Sequence, residues 1–322
     1  MARIKSFHKQ IFSWSTKRLL VISSAAVVLA LVLALVVTAC DSPAEQIPAE
    51  PRQFVDDLGR LVTVEGIPQR IISLAPSNTE ILFALGLGGK VVGVTDWCNY
   101  PPEALEKEKI GAYDTPNIEK IAALNPDLIL AAHGIPLDVI DALENLELSV
   151  FGIKTTDLDD LLGDIRTVGN ITGEEAEANA LTSEMESRIK AVTDKTEELE
   201  QRPRVFYIVW HDPLFTVGSG TFIHELTAKA GGVNVFGDVT GYPIVSIEDV
   251  LARNPEVIIA GELSYEWASN GTELENTDAR QNDRVYQVED DLVQRPAPRI
   301  VNGLEWFAHF IHPQIFDEPE DS

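Results

Sequence analysis

Aromatic and small polar residues directly follow the predicted strands of this chain, and their types suit them to contact a ligand. Ligands of open α/β sheets bind beyond the carboxyl ends of the strands, where these residues would collect. Flat aromatic faces suit a large and partly planar molecule. The candidate contacts from this pattern are Pro76, Ser77, Asn78, Trp97, Tyr100, Trp210, Phe215 and Tyr242.

Each of these residues also has a purely structural interpretation. Ser77 and Glu80 have the spacing of a capping box, so Ser77 could simply begin a helix. Any single aromatic residue could belong to an ordinary core. The common position of these residues after strands is what favours a ligand site.

Sequence motifs for catalysis are incomplete. The glycine-rich run 86–90 resembles part of a phosphate loop, but Val91 stands where Ser or Thr would hold Mg²⁺. His224 lacks the second histidine of a zinc protease, and Gly218-Ser219-Gly220 lacks the spacing of a nucleophile elbow. The remaining histidines do not form a ligand pattern. No catalytic residue, metal site or cofactor is therefore expected.

The charge balance argues against nucleic acid as a partner. The 322 residues contain 25 basic and 51 acidic side chains, a net charge of −26, and the net charge from residue 40 onward is −31. An acidic surface repels phosphate backbones and anionic lipid. With 45% hydrophobic residues, the chain can bury one large core or two ordinary ones.

The N-terminal segment predicts an extracytoplasmic location. Five basic residues and no acidic residue lie within 1–39, and an apolar run of 21 residues occupies 19–39. Such a run is long enough to cross a bilayer, and the positive flank stays on the cytoplasmic side. The run ends in Val-Thr-Ala followed by Cys40, which resembles the lipobox of bacterial lipoproteins. A lipidated Cys40 and an uncleaved anchor would both leave the acidic part of the chain tethered outside the cytoplasm. If Cys40 is lipidated, Cys98 has no disulfide partner.

Apolar runs that alternate with helical patterns predict an α/β fold. After a hairpin around 54–64, strands are predicted at 71–74, 91–94 and 128–132, with helices at 77–85 and near 118–124. This alternation is typical of a mainly parallel sheet.

An internal repeat predicts two lobes of similar architecture. Residues 118–131 read IEKIAALNPDLILA, and residues 247–260 read IEDVLARNPEVIIA, with seven of fourteen positions identical. In each copy a short helix stops before Asn-Pro, since proline disfavours helical geometry in the residue before it, and a buried strand follows.

A long amphipathic segment separates the two repeats. Apolar residues recur at intervals of three, four and seven within 173–200, at Ala178, Leu181, Met185, Ile189, Val192 and Leu199. These intervals predict one helix of about 28 residues, roughly 40 Å long, with a single apolar face. We interpret it as a rigid strut that joins the lobes and limits their closure to a few degrees.

Five segments together resemble a known family. They lie at 70–80, 92–96, 100–102, 117–121 and 295–300. The chain resembles the substrate-binding lipoproteins of ABC importers for cobalamin, ferric siderophores and haem, over about residues 53–312. It is most similar to the cobalamin-binding branch, particularly at 96–102. The resemblance implies two Rossmann-like α/β lobes joined by one long rigid helix, with the ligand in a cleft between them.

The resemblance also implies roles for individual residues. Glu119 and Glu248 match the two glutamates that dock on permease arginines, although each could be an ordinary exposed helix residue. The ligand positions of cobalamin-binding members fall on Pro76, Tyr100, Phe215 and Tyr242.

Two departures put the identity of the ligand in doubt. Ala132 and Leu292 stand where cobalamin-binding members have tryptophans, which removes stacking surface. Arg295 has two open interpretations: it contacts an anionic group of a siderophore, or it holds a loop in place through a carboxylate.

The predicted function is capture of cobalamin outside the cell membrane and its delivery to an ABC permease. Ferric siderophore or haem is the alternative cargo, with Tyr100, Tyr242 or His211 available as an axial haem ligand. A less favoured alternative is an anchored hydrolase that uses His211 with Asp212. The expected partners are a permease dimer with its ATPase and the membrane, through the lipid on Cys40. The protein is expected to be a monomer.

The predicted organisation has six parts. They are a lipoprotein signal peptide at 1–39, the lipidated cysteine and tether at 40–52, a first lobe at 53–172, a connecting helix at 173–202, a second lobe at 203–316 and an acidic tail at 317–322.

Overall fold

The computed structural model describes residues 51–319. The predicted signal peptide and Cys40, with most of the tether, lie outside the described residues, as does the end of the acidic tail. Within 51–319, none of the helices has the length and apolar character needed to cross a membrane.

The first lobe is a parallel five-stranded sheet with an antiparallel hairpin attached. The sheet order is β5-β4-β3-β6-β7, and the hairpin pairs β1 with β2, as predicted for 54–64. The strands are β1 Arg52–Val55, β2 Leu61–Val64, β3 Ile71–Ser73, β4 Val91–Val94, β5 Glu108–Lys109, β6 Leu128–Ala132 and β7 Val150–Ile153. The helices are α1 Pro76–Ala84, α2 Ile118–Ala123, α3 Leu137–Glu144 and α4 Leu158–Thr172, with 3-10 turns at Leu87–Lys90 and Pro102–Glu106.

The second lobe is a parallel four-stranded sheet in the order β11-β8-β12-β13, with a short hairpin of β9 and β10. The strands are β8 Arg204–Ile208, β9 Trp210–His211, β10 Leu214–Phe215, β11 Val233–Asn234, β12 Val257–Gly261 and β13 Val285–Val288. The connecting helix is α5 Glu175–Thr196, and the helices of this lobe are α6 Phe222–Lys229, α7 Ile247–Arg253, α8 Glu262–Asn270, α9 Asp278–Gln281, α10 Asp290–Gln294 and α11 Ile300–Ile311. The predicted α/β class with two lobes is confirmed.

The sequence repeat forms the same helix, turn and strand in both lobes. Asn125 and Asn254, which precede the prolines, both have left-handed backbone conformations, with φ of 46° and 42°. Asparagine tolerates this conformation better than most residues do. The turn connects α2 to β6 in the first lobe and α7 to β12 in the second.

One arginine fixes this turn in each lobe. The Arg70 Nε donates to the carbonyl oxygens of Leu124 and Asn125 at 3.0 and 3.1 Å, and the Arg204 Nε donates to that of Asn254 at 2.9 Å. These bonds satisfy carbonyl groups at the ends of the helices, which have no partner within the helix. The two lobes therefore share the backbone conformation of this turn and its arginine contact, as well as its sequence.

The connecting helix α5 is shorter than predicted. It ends at Thr196 instead of continuing to 202, and Arg202 folds back to donate to the Thr196 carbonyl oxygen at 3.2 Å. The Thr196 hydroxyl donates to the carbonyl oxygen of Lys229 at 2.7 Å. These contacts end the helix against the second lobe. Leu199, although it continues the apolar spacing, lies beyond the helix end.

A single apolar cluster joins the two lobes. It runs from Val94 in the first sheet through Leu161 in α4 and Met185 in α5 to Leu226 and Phe307 in the second lobe. The backbone N–H of Leu158 also donates to a carboxylate oxygen of Glu225 across the lobes at 3.0 Å. Because separating the lobes would expose this core, the packing resists a wide opening.

A carboxyl group with a raised pKa lies where the hairpin meets α4. Burial raises the pKa of Asp164 to about 7, and the negative charges of Asp57 and Asp160 add to the effect. The Thr155 hydroxyl donates to Asp164 Oδ2 at 2.6 Å, which favours the ionised form but does not outweigh burial.

The Asp164 pKa predicts a pH-dependent stability. Because the folded-state pKa lies above the unfolded value, the free energy of unfolding should fall as pH rises from about 4 to about 7. Asp164→Asn should remove this dependence and stabilise the protein at pH 8 by about 2 kcal/mol, allowing for partial exposure. Urea unfolding at pH 5 and pH 8 measures both effects. Asp141→Asn, at an exposed position on α3, is the control, and equal pH dependence in wild type and Asp164→Asn would contradict the assignment.

Candidate functional site

The first wall of the candidate site is the N-terminus of α1 and the loop 95–102. Trp97, in this loop, has 68% of its surface exposed, and Tyr100 is also exposed. Pro76 is the first residue of α1. The next two residues, Ser77 and Asn78, are buried, and the Asn78 Nδ2 has no hydrogen-bond partner among the described residues.

The capping-box interpretation of Ser77 is wrong. The residue that caps α1 is Ala75, which has no side-chain hydrogen bond to offer, and Ser77 lies inside the helix. Pro76 accounts for the helix start, because its fixed φ suits the first helical position and its missing N–H costs nothing there. The side chain of Glu80 therefore plays no part in capping and contacts the second lobe.

The second wall is built from the β9-β10 hairpin and the segment 239–245. The backbone of Phe215 bridges to Ile244, and the Gly218 N–H donates to the Gly241 carbonyl oxygen at 2.7 Å. These bonds hold Tyr242, with 56% of its surface exposed, beside the hairpin. Trp210 is exposed at the start of the hairpin, and its indole N–H donates to a backbone carbonyl at 2.7 Å.

His211 lies behind this second wall. Its ring stacks on Trp267 with centroids 5.7 Å apart, and its Nδ1 lies 3.2 Å from the Ser264 hydroxyl. Ser264 is 1% exposed, so a substrate cannot reach that hydroxyl. Asp212 is in the turn of the hairpin, and the hydrogen-bond partner of the His211 Nδ1 is Ser264 instead. The arrangement gives no support to the hydrolase hypothesis.

Buried polar groups support the second wall from within its lobe. The Tyr207 hydroxyl donates to Asp290 Oδ1 at 3.2 Å, and the side-chain amide of Gln294 donates to the same oxygen at 2.6 Å. Burial raises the pKa of both the Tyr207 phenol and the Asp290 carboxyl. Both groups therefore retain their protons to higher pH than in water.

Arg295 contacts carboxylates and lies between the two lobes. Its guanidinium donates to Glu80 Oε1 at 3.2 Å and to Asn99 Oδ1 at 2.7 Å, both in the first lobe. It also pairs with Asp291 in its own lobe at 2.7 Å. The structure thus places Arg295 in the loop-holding arrangement, the second of its two interpretations.

Arg299 makes the second half of this junction. Its Nε and Nη2 donate to the two oxygens of Glu80 at 2.9 and 2.8 Å, a bidentate pair across the lobes. Its guanidinium carbon also lies 3.7 Å from the centre of the Tyr100 ring. The side chain of Glu80 is only 2% exposed. We call Glu80, Arg295 and Arg299 the interlobe ion triad.

Sequence reasoning missed the triad. The spacing of Ser77 and Glu80 offers a capping box as one of two interpretations, and the motif 295–300 contains Arg299 without indicating a role for it. The spacing of four between the two arginines was a usable signal, but their partner lies more than 200 residues earlier in the chain.

A cavity of about 730 Å³ lies next to the triad. Its lining includes Phe83, Gly88, Tyr100, Lys107 and Arg299. It shares Tyr100 with the predicted ligand surface but none of the aromatic residues of the second lobe.

The two predicted docking glutamates occupy equivalent positions. Glu119 is the second residue of α2 and Glu248 the second residue of α7, and both are exposed. The preceding caps are also equivalent, since Asn117 accepts from the Lys120 N–H at 2.9 Å and Ser246 from the Asp249 N–H at 3.1 Å. Negative charge is favourable in the first turn of a helix.

Comparison with known proteins identifies the family of this chain. The model of the periplasmic binding protein family matches residues 71–292. The chain belongs to this family. It is therefore a solute-binding protein that works outside the cytoplasm, and the predicted family resemblance is confirmed.

Individual members of the periplasmic binding protein family are similar over most of the chain. An uncharacterized ABC transporter substrate-binding lipoprotein, YvrC of Bacillus subtilis, is 33% identical over 90% of this chain and 97% of its own. The crystal structure of the periplasmic vitamin B12 binding protein BtuF of Vibrio cholerae has a TM-score of 0.68 at 34% identity, over 76% of this chain and 97% of that one. The haem-binding protein RhuT of Roseiflexus has a TM-score of 0.69 at 26% identity, over 76% and 98%.

The residues 51–319 of this family member contain no cluster of three or more His, Cys, Asp or Glu side chains that could hold a metal ion. His133, His211, His224, His309 and His312 all lie in this range.

A substitution at Gly218 tests whether its close contact with the backbone of Val239 positions the second wall. A Cβ at this position would collide with the carbonyl oxygen of Val239, at the start of the segment that carries Tyr242. Gly218→Ala should therefore displace this segment and lower the free energy of unfolding by about 1–3 kcal/mol. Urea unfolding measures the loss, and hydrogen exchange of 239–244 locates it. Gly163→Ala, in open space on α4, is the control and should be neutral or slightly stabilising.

Proposed function

We propose that this protein captures a corrinoid between its two lobes and delivers it to a membrane permease. Its general role is that of the extracytoplasmic substrate-binding component of an ABC importer. The observation that supports the cargo best is the pair of exposed aromatic walls, Trp97 and Tyr100 on one lobe and Trp210 and Tyr242 on the other. Large planar ligands gain most from such surfaces, which proteins otherwise keep buried.

Similarity to cobalamin-binding proteins adds to this support. The curated vitamin B12-binding protein of Vibrio cholerae is 35% identical over 76% of this chain. Of the two family tryptophans missing here, one is replaced by Leu292, which is buried and offers no stacking surface. Trp97 and Trp210 are both available to provide such surface from other positions.

Haem is the second candidate cargo, favoured by the similarity of this fold to RhuT. Tyr242 carries an exposed phenol that could coordinate iron, whereas His211 is half-buried between two tryptophan rings. Tyr100 is covered on one face by Arg299. An anionic siderophore would need a free cation, and both arginines of the triad are already paired.

We further propose that the protein is a monomer attached to the membrane through a lipid on Cys40, and that it catalyses no reaction. The second cysteine, Cys98, is buried, and the hydroxyls of Thr79 and Thr95 each lie 3.1 Å from its sulfur. It is therefore inaccessible to a disulfide partner in the folded protein.

Removal of one aromatic residue from each wall tests the cargo. Tyr100→Ala and Tyr242→Ala should each weaken cyanocobalamin binding about tenfold or more, because each removes a stacking surface. Calorimetric titration of residues 41–322 measures the affinity. Leu61→Ala, an exposed apolar site on the distant hairpin, is the matched control. Tight haemin binding with no cyanocobalamin signal would replace the corrinoid by haem and leave the transport role intact.

Charge reversal tests the docking glutamates. Glu119→Lys with Glu248→Lys should reduce permease-dependent uptake in proteoliposomes about tenfold or more, since complementary charge sets the orientation and rate of docking. Cobalamin titration of the same variant separates docking from capture. Glu175→Lys with Glu177→Lys, at exposed positions on α5, provides the control for the same change in net charge. Full uptake by the double variant would show that the two glutamates do not dock.

A further inference from the structure

The turn at residues 95–98 presents the more exposed of the two aromatic residues in the first wall. β4 ends at Val94, and the chain then turns so that the Cys98 N–H donates to the Thr95 carbonyl oxygen at 3.1 Å. Thr95 and Cys98 are fully buried, whereas 68% of the surface of Trp97 is exposed. The turn therefore has a buried base and carries an indole that lies largely in solvent.

Side chains from two other elements bond the base of this turn. The hydroxyl of Thr79, in α1, and that of Thr95 itself each lie 3.1 Å from the Cys98 sulfur. The ammonium of Lys109, in β5, donates to the Cys98 carbonyl oxygen at 2.8 Å and, more weakly, to that of Thr95 at 3.4 Å. This lysine thus joins the two ends of the turn that carries Trp97.

β5, which carries Lys109, is itself fixed to α2. Glu108 pairs with Lys120 of α2, and the Lys120 ammonium also donates to the Lys109 carbonyl oxygen. The Lys109 ammonium bonds the carbonyl groups of the turn instead. A hydrogen bond from an ionised donor is roughly twice as strong as one between neutral groups. Lys109 therefore restrains the turn more strongly than a neutral side chain would.

We infer that Lys109 is a positioning residue that fixes Trp97 for cargo binding without touching the cargo itself. This inference rests on the proposed function, since Trp97 belongs to the first aromatic wall. A loop that is already held in its bound conformation loses less conformational freedom when a ligand binds. Without the Lys109 ammonium, the buried carbonyl of Cys98 would lose this donor, and the cargo itself would have to order the indole.

A double-mutant cycle with Trp97 tests the inference. Lys109→Met keeps an unbranched apolar chain but removes the donors, and it should weaken cyanocobalamin binding about fivefold or more, because the turn is then ordered only on binding. In a Trp97→Ala background the same substitution should change the affinity by less than about twofold, since the residue that it positions is gone. Calorimetric titration of residues 41–322 measures the four affinities. Lys90→Met, which removes a partly exposed charge at the opposite end of β4, is the control and should keep the wild-type affinity.

Hydrogen exchange provides a readout that needs no cargo. The N–H groups of Asp96 and Cys98 are bonded to the carbonyl oxygens of Gly111 and Thr95. In Lys109→Met these amides should exchange about tenfold faster than in wild type, because the turn opens more often. If Lys109→Met does not fold, Lys109→Gln, which keeps an amide donor on a shorter side chain, should show both effects at smaller size.

The two readouts separate this inference from the choice of cargo. An equal loss of affinity in the wild-type and Trp97→Ala backgrounds would mean that Lys109 acts through the whole fold or contacts the cargo directly, and it would overturn the inference. Unchanged exchange of residues 96–98 would overturn it as well. If wild type binds no cyanocobalamin, the corrinoid proposal fails by itself; haemin then replaces it in the same cycle, and the exchange result still decides whether Lys109 fixes the turn.

Discussion

The apolar face of α5 is the constraint on which the rest of the molecule depends. Its buried residues, with Met185 near the middle, pack against α4 of the first lobe and against α6 and α11 of the second. One continuous core therefore serves two sheets that would otherwise be independent. Because opening the lobes widely would expose that core to water, the two lobes are held near one relative arrangement.

The duplicated helix, turn and strand unit gives the two lobes a shared local geometry. The left-handed asparagines and the arginines that bond the ends of the helices give α2 and α7 the same turn into the following strand. Glu119 and Glu248 are carried to equivalent exposed positions by this shared geometry. Because the same helix, turn and strand unit occurs in both lobes, each lobe carries one exposed glutamate at the same helix position for the proposed docking.

The interlobe ion triad connects the conformation of the site to its electrostatics. A buried carboxylate between two arginines is stable only while all three groups stay together, since each unpaired charge would be costly in a low-dielectric setting. The triad therefore helps to hold Arg299 against the Tyr100 ring.

The sequence by itself determined the fold class, the two-lobe repeat, the family and the limits of β4 and β6. These features are local, because hydrophobic period, proline and the asparagine before it act within a few residues. It failed where partners are distant. The spacing of Ser77 and Glu80 permits a capping box that does not form, and the apolar spacing of the connecting helix continues past its end at Thr196. The sequence does not reveal either outcome, because neither Arg295, Arg299 nor the carbonyl of Lys229 is near in sequence. Only the tertiary structure decided that Glu80 crosses to the other lobe, since the energy of a buried charge depends on which groups the fold brings around it.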